Sequence, residues 1–345
     1  MSKRSHLILA IGLLVLGAAL TFFKIPLASS QGLTLVVEPV EGNLPLNDAD
    51  SPLWQQATAQ EVPLSLQNVT KPYLLESKIR SVTARLLQNQ EQIAVLVEWA
   101  DETKNDAALR PQDFRDAVAV QFPLIEGQPY FCMGQQGGNV NIWHWKADWQ
   151  ADIVARQDME TQYADMYVDQ YPFADPALGL AAGVADYQDP NYIPALEAGN
   201  LFASPARSTP VEDLIAGSFG TLTAQPAAGQ NVSGFGAWSD GSWRVIFSRD
   251  LTSQEADDLS FASGKTYSIA FAVWDGANGE RNGQKSTSQW VSLQIKSPQK
   301  APIAQEPAAP EKTSWFTTGR IGMLVLGLVL FLILVELLIY YRLPE

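Results

Sequence analysis

Soft metal ligands are scarce in this chain of 345 residues, which contains one cysteine and two histidines. A single cysteine cannot form a disulfide within the chain, even in an oxidising compartment. The same count excludes a CxxCH haem attachment, a CxxC zinc site and a cysteine-bound iron–sulfur cluster built from this chain alone. Any metal or redox chemistry must therefore depend on other ligands.

Basic residues are also too few for a nucleic-acid-binding protein. The chain has 23 Lys and Arg against 37 Asp and Glu, and its formal net charge is −14. Phosphate binding needs the opposite sign, which excludes nucleic acid as a partner. An acidic surface favours a basic soluble partner, such as a small c-type cytochrome or another electron carrier. The acids form no recognisable acid–base or nucleophile motif, so we expect no catalytic residues.

Long apolar runs stand at the two ends of the chain. In residues 1–30, Lys3 and Arg4 precede an apolar run from Leu7 to Phe23, and small residues follow it. This order is typical of a secretory signal peptide or of an uncleaved signal anchor, and the length of the run leaves both open. In either case we expect residues 31–296 to form a domain on the periplasmic or extracytoplasmic side of a membrane.

The second apolar run, residues 321–341, is long enough to cross about 30 Å of hydrocarbon as a helix. Only Glu336 interrupts it, and we expect that carboxyl to lie at the membrane interface or to be protonated. Residues 315–345 are therefore predicted to hold a C-terminal transmembrane anchor. Residues 297–314 are rich in proline and are predicted to form an extended tether.

Strand patterns dominate the region between the anchors. The stretch SKIRSVTARLLQNQEQIAVLVEWAD predicts a hairpin, because two apolar runs flank a polar turn. At least seven strands are predicted, and their spacing favours an all-β fold, an antiparallel β-sandwich. Residues 151–233 have poor periodicity and are predicted to be a long insertion. Five further segments alternate with a period near two: DAVAVQFP, VNIWHWKAD, SWRVIFSRDL, KTYSIAFAVWDG and QWVSLQIK.

One short stretch, PYFCMGQQGGNVNIWHWKAD at residues 129–148, concentrates the scarce soft ligands. It contains Cys132, Met133 and His144. A methionine among aromatic residues is most often core filler, and a histidine between two tryptophans is most often a hydrogen-bonded structural residue. Composition alone therefore leaves a ligand role and a packing role open for both.

Three segments carry a resemblance to a known family: FRDAVAVQFP, PYFCMGQQGGNVNIWHWKAD and FAVWDGANGERNGQKSTSQW. They resemble the haem-binding gamma subunits of type II molybdoenzymes of the dimethyl sulfoxide reductase superfamily. That group includes subunits of ethylbenzene dehydrogenase, dimethyl sulfide dehydrogenase, chlorate reductase and nitrite oxidoreductase. The resemblance covers residues 51–295 and implies a β-sandwich that holds one b-type haem, heme b, between a methionine and a lysine.

Carried over by motif, the resemblance implies Met133 in FCMG and Lys285 in NGQKS as the two iron ligands. A b-type haem needs no thioether bonds, which agrees with the single cysteine. A lysine amine binds iron only after losing its proton, and burial near the metal favours that loss. With both axial positions filled, the iron is expected to pass electrons rather than bind substrate. Lys146 and Lys265 are the competing lysines.

The same resemblance suggests which residues surround the haem. Glycines would let the backbone approach a flat ring closely, and aromatic side chains would wall it or belong to the sandwich core. His144 is expected to anchor a propionate or to face a partner subunit, and Cys132 to be buried rather than reactive. The candidate glycines are Gly134, Gly137, Gly138, Gly279 and Gly283, and the candidate aromatics are Phe131, Trp143, Trp145 and Trp274.

We therefore expect an electron-transfer subunit that relays electrons between the iron–sulfur subunit of a molybdopterin oxidoreductase and an external carrier. By analogy, nitrite oxidoreductase or nitrate reductase is the favoured complex. The C-terminal anchor departs from the family, whose known gamma subunits are usually soluble, and this puts the electron partner in doubt. The alternative is an exported carbohydrate-binding module, with Trp143, Trp145, Trp238 or Trp243 stacking on sugars.

Overall fold

The computed structural model describes residues 32–125, 133–157, 162–163, 165, 200–201 and 207–297. Both expected membrane segments, the tether, Phe131, Cys132 and most of the predicted insertion lie outside these ranges. Within the described ranges, no helix is both long and apolar enough to cross a membrane. Backbone contacts divide the chain into two units, residues 1–298 and 299–345, and the described residues all belong to the first.

The described residues form fourteen strands in two sheets that share one strand, β12 (Thr266–Trp274). The first half of β12 pairs with the first sheet, and the second half pairs with the second sheet. The remaining strands of the first sheet are β1 (Thr34–Pro39), β2 (Gln60–Pro63), β4 (Ser81–Gln88), β5 (Gln92–Ala100), β10 (Ser233–Ser239), β11 (Ser242–Asp250) and β14 (Val291–Ile295). The remaining strands of the second sheet are β3 (Ser65–Leu66), β6 (Ala117–Pro123), β7 (Val140–Lys146), β8 (Val211–Ala216), β9 (Thr223–Ala224) and β13 (Ser286–Thr287).

Helical structure is sparse among the described residues. One α-helix, α1 (Ala147–Val154), follows β7 directly, and two 3-10 turns cover Pro52–Gln56 and Ala227–Gly229. The predicted hairpin is confirmed as β4 and β5, and each of the five alternating segments forms a strand. The expectation of an all-β sandwich is therefore met by the described domain. The prediction that residues 151–233 form one insertion is wrong at its C-terminal end, because β8 and β9 lie there and pair into the second sheet.

The expectation that every pairing is antiparallel is wrong for one strand. β1 runs parallel to both of its neighbours, β4 and β14. Parallel neighbours need a long crossover connection, and the forty-odd residues from β1 to β4 provide one. Within that connection lie β2, β3 and the first 3-10 turn.

The main core lies between the two sheets. Alternation sends every second side chain inward, so that Val118 and Val120 of β6 and Phe271 of β12 face the first sheet. Aromatic contacts cross the interface: the ring centroids of Trp99 and Trp145 lie 6.4 Å apart. The sheets are thus held together by a dense apolar layer of the kind that stabilises β-sandwiches.

Each sheet also has an apolar outer face. On the first sheet, Leu87, Ala94 and Leu96 pack with Trp54 of the first 3-10 turn. On the second sheet, the outward residues are smaller and less covered; they form a cluster of Ala117, Ala119, Val140, Ile142, Leu214, Ala216, Ala272 and Trp274. This second outer face carries the candidate functional site.

Candidate cofactor pocket

A cavity of about 690 Å³ lies on the outer face of the second sheet. Its size falls in the range of small-molecule and cofactor sites, roughly 300–1,000 Å³. The floor is the sheet itself, and the walls are loops from five parts of the chain, residues 67–72, 108–115, 133, 219–222 and 280–287. The pocket therefore depends on the folded sandwich rather than on one local segment.

The floor of the cavity is flat because its outward side chains are small. Ala117 and Ala119 of β6 and Ala272 of β12 point to the cavity, while the valines and phenylalanine between them point to the core. Ile142 of β7 and Leu214 of β8 extend this apolar surface. A row of alanines on a twisted sheet leaves room for a broad apolar ligand.

Met133 enters the cavity from a tight turn that precedes β7. Gly134 has φ +76°, and a Cβ at this position would lie 2.7 Å from the carbonyl oxygen of Ala216. Gln135 and Gly138 exchange two backbone hydrogen bonds of 3.0 and 2.8 Å, which close the turn. The glycine therefore lets the turn approach β8 closely and fixes where the methionine side chain begins.

Lys285 enters from the loop between β12 and β13. Gln67 braces this loop: its backbone N–H donates to the carbonyl oxygen of Lys285 at 3.0 Å, and its side-chain amide donates to that of Gly283 at 2.7 Å. Trp274 adds a third tie, because its indole N–H donates to the carbonyl oxygen of Asn282 at 3.1 Å. The backbone around Lys285 is thus fixed by hydrogen bonds from a buried glutamine and a buried tryptophan.

The two side chains meet at the cavity. Lys285 Nζ lies 3.5 Å from Met133 Sδ and 5.0 Å from the centroid of the Trp274 ring. Only 8% of the Lys285 surface is exposed. A buried amine in contact with a thioether above an apolar floor places a nitrogen and a sulfur ligand side by side, a pair that suits a soft metal centre.

His144 also faces the cavity, from the outward side of β7. Its ring stacks on Trp274 with centroids 4.7 Å apart, and its Nε2 is buried without a hydrogen-bond partner among the described residues. Burial, and then the nearby cation of Lys146, holds the pKa of His144 well below its usual value. The imidazole is therefore neutral at pH 7 and offers one unused polar atom to a ligand.

The other predicted aromatics lie elsewhere or outside the described residues. Trp143 and Trp145 are fully buried in the main core on the opposite face of β7 from His144, so neither lines the cavity. Of the four candidate aromatics, Trp274 alone is a described residue that lines it. Phe131 lies outside the described ranges, as does Cys132.

The competing lysines lie away from Met133. Lys146 is buried, pairs with Glu212 and sits 3.8 Å above the ring of Trp149, outside the cavity lining. Lys265 is exposed at the start of β12. Geometry therefore favours Lys285 among the three candidates.

Several lining residues escaped sequence analysis. Gln67 and the floor alanines were not singled out, although the Ala–Val alternation in DAVAVQFP distinguishes a small-residue face from a large-residue face. The basic residues of the lining, Lys71, Arg115 and Arg281, have no sequence signal, because loops from distant parts of the chain bring them together. Asp113 and Glu280 also line the cavity, and anionic groups of a ligand would meet the basic residues rather than these acids.

Fold and pocket together define a β-sandwich with a cofactor-sized cavity on one outer face. Residues 51–286 match the family described as ethylbenzene dehydrogenase, and the chain belongs to that family.

Named relatives share most of the chain. It is 26% identical over 287 residues to a protein named as a respiratory nitrate reductase heme subunit of Haloferax mediterranei, covering 81% of this chain and 79% of the relative. It is also 26% identical over 264 residues to the dimethylsulfide dehydrogenase subunit gamma of Rhodovulum sulfidophilum, covering 74% and 77%. It is 23% identical over 256 residues to the chlorate reductase subunit gamma of Ideonella dechloratans, covering 72% and 80%.

Among solved structures, the chain is similar to a carbohydrate binding module of family 9 from Caldicellulosiruptor kristjanssonii in complex with cellotriose. The TM-score is 0.38 with 8% identity, over 80% of this chain and all of that one. A carbohydrate-binding protein from Bacteroides uniformis gives a TM-score of 0.39 with 9% identity, covering 77% of this chain and all of that one. Likenesses this weak do not bear on what this chain binds.

Proposed function

We propose that this chain is the electron-transfer subunit of a molybdopterin oxidoreductase complex and that it carries one b-type haem in the cavity. The observation that carries the proposal is the approach of Met133 Sδ to Lys285 Nζ, at 3.5 Å in a cavity with an apolar floor. The named relatives, a heme subunit and two gamma subunits, support the same class. When bound, the haem would supply a one-electron redox centre.

The residues present fit this group. Met133 and Lys285 would hold the iron, and the floor of Ala117, Ala119 and Ala272 would lie against the ring. The unused Nε2 of His144 and the basic residues Lys71, Arg115 and Arg281 would meet the polar edge of the porphyrin. Lys285 must be neutral to act as a ligand, so its amine would release a proton when it binds the iron.

The partners follow from the proposed class. Iron–sulfur and molybdopterin subunits of the same complex would exchange electrons with this chain on one side, and a c-type cytochrome or other carrier on the other. The net charge of −14 suits a basic carrier. Attachment to a membrane through residues 315–345, with the haem domain on the periplasmic or extracytoplasmic side, remains part of the proposal. A nitrite oxidoreductase or nitrate reductase is the complex we favour.

A sugar-stacking role has less support. Of the four tryptophans considered for it, Trp143, Trp145 and Trp243 are buried in the main core, and Trp238 is half-buried against it. Stacking on a sugar ring needs an exposed aromatic face. The described surface therefore gives no reason to prefer carbohydrate over haem.

The visible spectrum of the full-length protein tests the proposal. A Soret band with low-spin features is expected, and Met133→Ala or Lys285→Ala should each open one axial position and convert the iron to high spin or recruit water. His144→Ala and the exposed-lysine control Lys265→Ala should leave it low-spin. Lowering the pH should release Lys285 first, because protons compete with iron for the amine.

Two results would overturn parts of this assignment. Absence of any Soret band from the protein purified with its partner subunits would exclude the haem. A high-spin spectrum for His144→Ala, together with a silent Lys285→Ala, would instead make Met133 and His144 the axial pair.

A further inference from the structure

Three aspartates meet at one edge of the sandwich, outside the cavity lining. Asp101 directly follows β5, Asp116 directly precedes β6, and Asp275 directly follows β12. One carboxylate oxygen from each lies within 4.8 Å of the other two. Three strand ends from both sheets therefore bring three acidic side chains to one point.

These carboxylates are buried and lack cationic partners. Asp101, Asp116 and Asp275 expose 6%, 0% and 6% of their surfaces, and Glu280, which accepts a hydrogen bond from the backbone of Asp275, exposes 2%. Within the described ranges, none of the four forms an ion pair with a lysine, arginine or histidine. Buried like charges without a counterion are strongly unfavourable.

One oxygen of the group is left without any partner. Asp101 Oδ2 is buried and makes no hydrogen bond in the described structure, whereas Asp101 Oδ1 accepts from the backbone and hydroxyl of Thr103 at 3.0 and 3.1 Å. The indole N–H of Trp99 is close enough to lower the pKa of Asp101, but it makes no hydrogen bond of good geometry to this oxygen. An orphaned carboxylate oxygen beside two other carboxylates is the kind of atom that a cation satisfies.

The crowding shows in the acid–base properties of the group. Burial, and then the charge of Asp101, raises the pKa of Asp116 to about 7 even though three N–H groups donate to it. Burial, and then the charge of Asp275, raises the pKa of Asp101 in the same way. The site therefore holds its full negative charge only at a cost, which a bound cation would remove.

We propose that Asp101, Asp116 and Asp275 bind one calcium ion. Calcium takes oxygen ligands at about 2.3–2.6 Å, so the oxygens around one ion lie no more than about 5 Å apart, and the three carboxylate oxygens here, all within 4.8 Å of one another, meet that limit. Magnesium fits less well, because it keeps several waters, and this group is buried. Zinc and copper prefer nitrogen or sulfur ligands, which the group lacks.

The ion would join two loops that wall the cavity. Asp116 Oδ2 accepts from the backbone N–H of Asn105 at 2.7 Å, and Asp116 Oδ1 accepts from that of Gly276 at 2.9 Å. Gly276 packs so closely on the carbonyl of Phe114 that any side chain there would clash. The loop between Asp101 and Asp116 contains Phe114 and Arg115, and the loop after Asp275 contains Lys285. A calcium ion bound to the three aspartates would therefore fix the ends of two loops that line the cavity.

Direct calcium binding is the first test. The full-length protein is stripped with EDTA and titrated with CaCl₂, or with MgCl₂ for comparison, while heat of binding and thermal unfolding are followed without added haem. One calcium per chain and a rise of at least about 5 °C in Tm are expected, with a smaller rise for magnesium. Tryptophan-sensitised terbium luminescence should report the same site, because Trp243 donates to Asp116.

Variants locate the ion. Asp101→Asn and Asp275→Asn should abolish the calcium-dependent rise in Tm and the terbium signal. The matched control is Asp213→Asn, a buried aspartate on β8 outside the group, which should keep both. No calcium binding by the wild-type protein, or calcium binding that survives Asp101→Asn, would overturn the proposal. Because these measurements need no haem, they stand or fall separately from the Soret band.

Discussion

On the outer face of the first sheet, the chain covers its own apolar surface: Trp54 packs on Leu87, Ala94 and Leu96 with only 1% of its surface exposed. On the outer face of the second sheet, no side chain plays the part of Trp54 in the described structure, and a cavity of about 690 Å³ remains. Both faces are apolar and both belong to the same sandwich. They differ in what fills the space above them.

The comparison shows how one fold separates a structural face from a binding face. The first face is closed by a segment that lies near it in sequence, the 3-10 turn Pro52–Gln56. The second face is surrounded by several loops that wall a cavity, and apolar side chains of the sheet form the floor. Leaving an apolar floor exposed to water is unfavourable in free energy unless a ligand covers it.

The largest expected effect on haem binding comes from filling the open face. Ala119→Leu should occupy the floor of the cavity and lower haem affinity by about tenfold or more, while the haem-free protein stays folded because the cavity has room. Haem titration followed at the Soret band measures the first expectation, and thermal unfolding measures the second.

The matched variant on the closed face is Ala94→Leu. Ala94 is fully buried in the first sheet, so the larger side chain should destabilise the fold by about 1–3 kcal/mol and leave haem affinity unchanged. If Ala94→Leu impaired haem binding as much as Ala119→Leu, the two faces would not be separate.

The second prediction concerns removal of the side chain that covers the closed face. Trp54→Ala removes the side chain that covers the first sheet and should lower the free energy of unfolding by about 3–5 kcal/mol, from lost burial and the resulting void. Urea denaturation of the haem-free protein measures this change. The folded fraction should still bind haem at wild-type stoichiometry, because Trp54 lies on the opposite sheet from the cavity. Loss of haem stoichiometry would show that the faces are coupled.

The smallest predicted effect is a difference between alanine substitutions at two glycines of the turn that follows Met133. Gly134 and Gly137 both have positive φ, but a Cβ clashes with the carbonyl of Ala216 only at Gly134; at Gly137 nothing lies within 4 Å. Gly137→Ala should cost about 1–2 kcal/mol of stability and keep the low-spin spectrum. Gly134→Ala should cost more and shift Met133, giving high-spin iron. Equal spectra would mean that the turn does not position the methionine.

Much of the fold was predictable because alternation is a local signal. DAVAVQFP and KTYSIAFAVWDG identify β6 and β12 directly, and the Gln-Asn-Gln-Glu turn identifies the β4–β5 hairpin. The parallel pairing of β1 was not predictable, because it depends on which strands are left adjacent when both sheets close. No local pattern records that choice.

The site divides in the same way. Met133 and Lys285 were expected from motif resemblance, and the structure brings them to 3.5 Å, although their ligand role stays a proposal. For Trp143 and Trp145 the haem wall and the sandwich core were both left open, although alternation along β7 already places them on the opposite face from His144. Gln67 could not be found from sequence, since its partners Gly283 and Lys285 lie more than 200 residues away.

Strand β12 has a consequence for the order of assembly. It joins the two sheets, and its pairing with β6 connects segments far apart in the chain. Contacts of such high sequence separation are slow to form, because the loop between them must first be closed. Asp275 and Lys285 follow β12 in the chain. The loop that carries Lys285 can therefore line the cavity only after β12 has joined the two sheets. A nascent chain that has formed β6 and β7 but not β12 thus has Met133 in position without Lys285, and it cannot yet bind a cofactor through both residues.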